Sequence, residues 1–395
     1  MSAPAPPARR LRIAVLNRHF GYRFGGAERY AAAVVEELAA RHEVHVFAQE
    51  IEHAFPGVTY HRISRPMAKP RWINQLWFAF ETWRQTRRGF DVVHSHENTW
   101  HGDVQTVHVR PFKVGLFHGR HGFRRGLKWL SLWTSPRLMT YWCLEAARFR
   151  LRSHKHIVAT SDQVMTETLQ AYPDTAACMH VIAPGVNLPT AQASQPESRQ
   201  QLGLPQTVPM ALFVGNDYAK KGLGTLLEAL AKVPALHVAV VGNGQQIASF
   251  QKRALQLAVT DRVHFLGSLP DVTPAYCAAD LLVHPTTEDT YAMVVLEAMA
   301  YGLPVIVSGL PYCGIAADLT SDLEVLVLDD PWDAHALAIQ IQRLVSNPQL
   351  RHQLQTAGRQ FACERSWLSV SQQYDALMLI ETKQPRGFGR PLQDR

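Results

Sequence analysis

The sequence is poor in the features that would set it apart from ordinary globular enzymes. None of its 395 residues falls in a run approaching the roughly 18 apolar residues that a membrane-spanning helix needs. The opening MSAPAPPARR has no apolar core of the kind a secretory signal carries. It therefore predicts a short disordered tail over 1–10 and a cytoplasmic protein. Cysteine is scarce: Cys143, Cys178, Cys277, Cys313 and Cys363 are an odd, scattered set without a C-x-x-C pair. That excludes a disulfide framework or a zinc ribbon and predicts small buried thiols in a reducing compartment. Charged residues at 18% against 47% apolar exclude wholesale disorder, collagen-like repeats and a coiled coil. No internal repeat of the 20–50-residue class is apparent.

What the chain does hold is unevenly placed. Residues 1–190 carry 25 Lys and Arg against 14 Asp and Glu, whereas 191–395 carry 15 against 19. The first half is thus strongly basic, which points to an anionic partner among nucleic acid, anionic lipid and phosphorylated glycan. Seven of the nine tryptophans (Trp72, Trp77, Trp83, Trp100, Trp129, Trp133 and Trp142) lie in the Arg- and Lys-rich stretch 71–152. Aromatic and basic residues together suit a surface that enters a lipid headgroup layer, although tryptophans packing a helical core would have the same composition.

The length predicts two domains. LRIAVL (11–16), a glycine-containing loop, the helical AERYAAAVVEELAAR (27–41) and EVHVFA (43–48) form a βαβ unit, which implies a parallel sheet. A further strand is expected at 91–94. The polar, Pro- and Gln-rich segment 184–209 resembles a linker in composition. Beyond it the α/β pattern restarts, with strands at 210–214, 237–241, 263–266, 281–284 and 304–307 and a helix at 222–232. The expected organisation is a tail (1–10), a Rossmann-like domain (11–185), a linker (186–208), a second Rossmann-like domain (209–370) and a terminal helix or tail (371–395) that packs back on the first. Ligands of such sheets bind at the carboxyl ends of the strands.

Four segments at those ends carry candidate chemistry. In HPTTEDTYAMVVLEAMAYG (284–302) a strand ends at His284, and a helix is expected to begin near Thr290, capped by Asp289 or Thr290. On such a helix Asp289 and Glu297 would lie about 12 Å apart along the axis, able to bridge a ligand with hydroxyls at both ends. The N–H groups of Tyr291, Ala292 and Met293 would face an anion such as a diphosphate. In GNDYAKKG (215–222), Lys220 and Lys221 near a helix start suit two phosphates, with Asn216 beside them. In FGGAER (24–29), Gly25 and Gly26 let the backbone approach an anion closely. Finally, His94 and His96 end a strand, and His108 follows in Thr106-Val107-His108. With 19 histidines in the chain, chance placement is a real alternative for the first two.

The first of these segments resembles the E-x7-E signature of the retaining glycosyltransferases of family 4, whose fold is GT-B. Glu297 matches the second acid. The first position holds Asp289, with Glu288 one place upstream, so either residue can fill it. GNDYAKKG resembles the family's G-R-x4-K-G element: Lys221 matches the lysine, Asn216 replaces the arginine, and Lys220 can compensate. FGGAER resembles the G-G-A-E-R loop, and Thr106-Val107-His108 the T-x-H element. Within the family, GNDYAKKG, LLVHP and LEAMAYGLPVIVSGLPYCG are most similar to lipopolysaccharide core glucosyltransferases.

The resemblance implies that Glu297 binds the donor ribose, Lys221 and Lys220 neutralise its diphosphate, and Asp289 or Glu288 contacts the hexose. Gly25, Gly26 and His108 then face the reaction, with His108, Asp289 and Lys221 as the candidate catalytic residues. It implies a nucleotide-diphosphate sugar donor, UDP-glucose by the nearest likeness, and a lipopolysaccharide-type or other lipid-linked glycan acceptor. No cofactor or metal is expected, since lysines and helix N-termini can hold the leaving diphosphate and no Asp-x-Asp stands in a suitable place. The leaving phosphate would itself take the acceptor proton. The partner expected for the basic, Trp-rich half is an anionic membrane surface, not nucleic acid, with the enzyme on its cytoplasmic face. Two alternatives share the fold: a nucleotide-sugar 2-epimerase, and a non-catalytic glycan- or lipid-binding protein, for which Asn216 and Asp289 are the only support. A dinucleotide oxidoreductase is disfavoured because Gly242-Asn243-Gly244-Gln245-Gln246-Ile247 lacks the third glycine of G-x-G-x-x-G.

Overall fold

The computed structural model describes residues 9–22, 24–67, 69–117, 122–152, 154–189, 193–243 and 246–382. Most of the expected tail, the end of the C-terminal segment and the pair Gly244–Gln245 lie outside them. The chain divides into two compact units: residues 1–159, 164–182 and 370–395 form the first, and 160–163 with 183–369 the second.

In the first unit the strands are β1 (Arg12–Leu16), β2 (His19–Phe20), β3 (Glu43–Ala48), β4 (Glu50–Ile51), β5 (Val58–Arg62), β6 (Val92–Ser95), β7 (Val104–Val107), β8 (His156–Ala159) and β9 (Met179–Val181). Among the described residues, seven of them pair in parallel in the order β5-β3-β1-β6-β7-β8-β9, and β2 and β4 make a separate short pair. Ile13, Ala14, Val15 and Leu16 are buried on both faces, which is why β1 is an unbroken apolar run rather than an alternating one. A parallel pair needs a crossover. The helix Gly26–Ala39 supplies it between β1 and β3, turning Tyr30, Val34, Val35 and Leu38 inward.

The second unit contains β10 (Met210–Val214), β11 (His237–Val241), β12 (Val263–Gly267), β13 (Leu281–His284), β14 (Val305–Ser308) and β15 (Leu326–Leu328). They pair in parallel in the order β12-β11-β10-β13-β14-β15. Both sheets are doubly wound, as expected. Strand order reverses beside β1 in one unit and beside β10 in the other, so each has a crevice at the carboxyl ends of β1 and β6, or of β10 and β13.

Four expectations need correction. Of the five thiols expected to be buried, only Cys313 is, and Cys143 and Cys363 are exposed. The segment read as a linker is anchored: Gln195–Gln201 is a helix, closed by a Ser194–Glu197 capping box. Its Arg199 is buried, donating to Ala278 O at 2.9 Å and to Asp280 Oδ2 at 2.8 Å. The helix expected at 222–232 spans Leu223–Leu230, because Gly222 takes a left-handed conformation (φ 79°) that ends the turn before it. The helix expected from Thr290 begins at Met293, with Ala292 left-handed before it.

The Trp-rich stretch forms helices Arg71–Thr86, Gly122–Thr134 and Pro136–Arg148, with a short one at Phe112–Phe117. Trp129 and Trp142 pack on each other at 5.5 Å, whereas Leu127, Leu130 and Trp133 stay exposed. Among the described residues no helix is long and apolar enough to cross a membrane. The helix Trp367–Thr382 passes from the second unit into the first at Val370. There Tyr374 is fully buried.

Candidate active site

In the second unit the two loops that leave β10 and β13 are stitched together. Lys220 O accepts from Thr287 N at 2.7 Å and from the Thr286 and Thr287 hydroxyls at 3.1 Å. Gly222 lies so close to the second loop that a Cβ there would stand 1.9 Å from Pro285 O. This backbone seam places Lys220 and Lys221 opposite Glu288 and Asp289. Lys221 Nζ donates to Asp289 Oδ2 at 2.5 Å, and Lys220 Nζ to Glu288 Oε2 at 3.0 Å. The first pair is largely buried; the second is exposed, with more than half of each side chain in solvent.

Asp289 is held from every side. Its backbone N–H donates to Tyr312 O and its carbonyl accepts from Gly314 N. Oδ1 accepts from Ala292 N at 2.8 Å and Tyr291 N at 3.3 Å, and His284 Nε2 donates to Oδ2 at 3.2 Å. Burial acts to raise its pKa, but the hydrogen bonds from His284 and Lys221 and the positive charge of Lys221 outweigh it. The carboxyl is held well below the usual range. Burial keeps His284 neutral, and its Nδ1 is buried without a partner. The N–H groups of Tyr291 and Ala292, expected to face an anion, are thus engaged by Asp289, and Met293 opens the helix.

Glu297, eight residues on, accepts a 2.6 Å hydrogen bond from Tyr276 OH. Tyr276 stacks on Tyr301 at 5.2 Å, and Tyr301 OH meets Thr273 Oγ1 at 2.9 Å. Asn216, in the position expected beside the phosphates, instead accepts from Asn243 N at 3.1 Å and fastens the turn after β11.

In the first unit the strand-end histidines form one buried network. His94 Nε2 meets Thr106 Oγ1 at 2.8 Å, Thr106 meets Tyr374 OH at 2.8 Å, and Tyr374 meets Tyr30 OH at 2.9 Å. His96 Nδ1 lies 2.9 Å from His108 Nε2. Burial lowers His94 and His108 to about 3 and His96 well below its ordinary value, so all three are neutral at neutral pH. They can donate or accept hydrogen bonds but carry no charge. Gly25 precedes the helix Gly26–Ala39 in extended conformation, and a Cβ on Gly26 would meet nothing within 4 Å. Space at Gly26 is therefore open to a ligand, while neither glycine is demanded by backbone strain.

Sequence reasoning did not assign Tyr276, His284, Tyr30 or Tyr374. His284 had a signal, as the last residue of a buried strand five places before Asp289. Tyr374 had none, since its partners Thr106 and Tyr30 lie 268 and 344 residues away. Among the described residues no cluster of His, Cys, Asp and Glu could hold a metal ion.

Comparison with known proteins bears on the same segments. The model for glycosyl transferases group 1 matches residues 194–361, and that for glycosyltransferase family 4 matches 24–189. The chain belongs to glycosyltransferase family 4. Its activity class is accordingly glycosyl transfer, and its two Rossmann-like units are those of a GT-B enzyme. This glycosyltransferase is 29% identical over 392 residues to a D-inositol 3-phosphate glycosyltransferase of Thermobifida fusca, covering 88% of this chain and 86% of the relative. It is 27% identical over 227 residues to the lipopolysaccharide glucosyltransferase WaaG of Escherichia coli, covering 55% of this chain and 60% of that one. The crystal structure of a WaaG superposes over 93% of this chain and 99% of the other, with a TM-score of 0.78 and 22% identity.

Proposed function

We propose that the enzyme is a retaining hexosyltransferase that moves glucose from UDP-glucose to a lipopolysaccharide-core or other lipid-linked glycan. The observation that carries the reading is the Lys221–Asp289 pair at the strand-order reversal of the second unit, with Glu297 a helix turn beyond. In this reading a donor diphosphate takes Lys221 and Lys220, exchanging the carboxylates for phosphate oxygens, and Glu297 accepts from the ribose hydroxyls. Asp289, or Glu288 beside it, receives the hexose hydroxyls. His108, neutral, offers a hydrogen bond rather than a charge. No dedicated nucleophile is invoked: the departing phosphate oxygen takes the acceptor proton on the face from which it leaves. No metal is required, because the cationic side chains supply the charge. The names of the lipopolysaccharide relatives support the acceptor class.

A soluble phosphorylated polyol is a second acceptor reading, favoured by the inositol 3-phosphate relative's match over most of the chain. For the lipid-linked reading we place the enzyme on the cytoplasmic face of a membrane, resting on the exposed Leu127, Leu130 and Trp133 and the basic residues around them.

The test is nucleotide release from UDP-, GDP- and ADP-sugars, with and without truncated lipopolysaccharide. The expected result is release from one donor, stimulated by acceptor and lost in Glu297→Ala and Lys221→Ala. Turnover of the donor without any acceptor would favour the epimerase, and silence with no donor-induced thermal shift would favour a non-catalytic protein. Failure to float with anionic vesicles at low salt would sink the membrane placement.

A further inference from the structure

One oxygen of Asp289 serves two partners of very different reach. Its Oδ2 accepts from Lys221 Nζ at 2.5 Å and from His284 Nε2 at 3.2 Å, while Oδ1 is taken by the backbone of Tyr291 and Ala292. Lys221 stands in the turn before the helix Leu223–Leu230, and its side chain is 23% exposed. An ammonium on a flexible four-carbon stem can swing to the oxygens of an arriving diphosphate. His284 is the last residue of β13, and its ring is wholly buried on a short stem. It cannot follow a ligand. When Lys221 leaves, the His284 N–H is what remains on Oδ2.

The ring's tautomer is fixed by this neighbour. An ionised carboxylate only accepts, so the imidazole hydrogen stands on Nε2. Nδ1 is then a bare acceptor, buried and without a partner. Such an orphan costs free energy, and an apolar side chain of similar size would fill the end of β13 without that cost. What the imidazole adds over an apolar side chain is one N–H aimed at Asp289. A buried polar group left half satisfied calls for an explanation, and the held carboxylate supplies it.

We propose that His284 is a positioning residue for the donor-bound enzyme: once phosphate oxygens draw Lys221 away, its N–H holds the Asp289 carboxylate in place to receive the hexose hydroxyls. It acts through Asp289 and does not itself touch the sugar. The proposal deepens the glycosyltransferase reading and rests on it for the roles of Lys221 and Asp289. It makes the contribution of His284 one to turnover, not to the grip on the nucleotide.

Three variants separate the N–H from the packing. Gln carries its amide nitrogen as many bonds from Cβ as Nε2 of the imidazole, Asn one bond fewer, and Leu fills the space with no donor. Steady-state nucleotide release from UDP-, GDP- and ADP-glucose is measured at saturating donor, with truncated lipopolysaccharide or inositol 3-phosphate as acceptor. Binding of UDP, GDP and ADP is measured by calorimetry on the same full-length proteins.

We expect kcat to fall about tenfold or more in His284→Asn and His284→Leu, the effect of losing one hydrogen bond to a charged group. Affinity for the nucleoside diphosphate should stay within about twofold of wild type, and His284→Gln should restore most of kcat. Should His284→Leu not fold, the comparison of Asn with Gln decides alone. Equal kcat in His284→Asn and His284→Gln overturns the proposal. So does a loss of diphosphate affinity that matches the loss of kcat, which would mean that the ring only supports the loops. Either result leaves the transferase reading standing, provided the wild-type enzyme turns over a nucleotide sugar. A wild-type enzyme that neither binds nor turns over any of them removes both readings together.

Discussion

Asp289 has one methylene fewer than the glutamate of the signature it resembles, and the structure shows where that shortness leads. Its carboxylate turns back onto its own chain, holding the N–H groups of Tyr291 and Ala292, while Lys221 and His284 share the other oxygen. Asn at this position keeps the acceptor for the two N–H groups and removes the charge that Lys221 faces. Breaking a buried pair from one side costs about 3 kcal/mol. Asp289→Asn should therefore lower Tm by roughly 5–10 °C in a domain of this size, as followed by circular dichroism. Its turnover should fall with it, and an unchanged Tm would show that the pair holds little of the stability.

At the scale of elements, the loop after β13 depends on close backbone approach by the loops after β10 and β14. A Cβ on Gly314 would stand 1.9 Å from Thr290 O, in the segment that carries Asp289. Gly314→Ala must push that segment aside, at a cost of roughly 1–3 kcal/mol, and should raise the KM for donor nucleotide more than it changes the far face of the sheet. Steady-state kinetics together with hydrogen exchange on β12 separates the two. Such seams explain what could be read in advance. The strands, their buried runs and the lysine and acid segments were legible because each is local: an apolar run, a glycine, a charge at a strand end. The start of the helix at Met293 was not, because Asp289 caps a turn ahead of the helix rather than the helix itself, and the same residue type serves both. Nor was the helix Gln195–Gln201, whose polar composition hides a buried Arg199 that donates to the nearby carbonyls of Gln206 and Val208 and, far along the chain, to Ala278 O and Asp280. Tyr276 likewise meets Glu297 only once both helices are formed.

For the molecule as a whole, the buried histidines set a pH limit. His94, His101 and His108 are lowered by burial to about 3, and His96 falls with them. Their unfolded counterparts titrate near 6.5. Between those values the unfolded chain binds more protons, so stability is full above about pH 6.5 and is lost as pH falls toward 3. Asp289, lowered in the fold, adds its own loss at the acid end. Unfolding midpoints in urea should fall steadily from pH 7 to pH 4. His94→Phe, if it folds, should flatten that slope, and a pH-independent midpoint would mean the cluster is protonated or open in solution.

The helix Trp367–Thr382 ties this cluster to the order in which the chain is made. Tyr374 is the link between Thr106 and Tyr30, and the ribosome adds it some 190 residues after the first unit's last strand. Until then those two hydroxyls have no Tyr374 to meet, and the first unit must wait, incomplete, while the second is synthesised. A fragment ending at residue 182 should accordingly remain loosely packed and sensitive to protease, and a synthetic peptide spanning 366–382, added from outside, should tighten it.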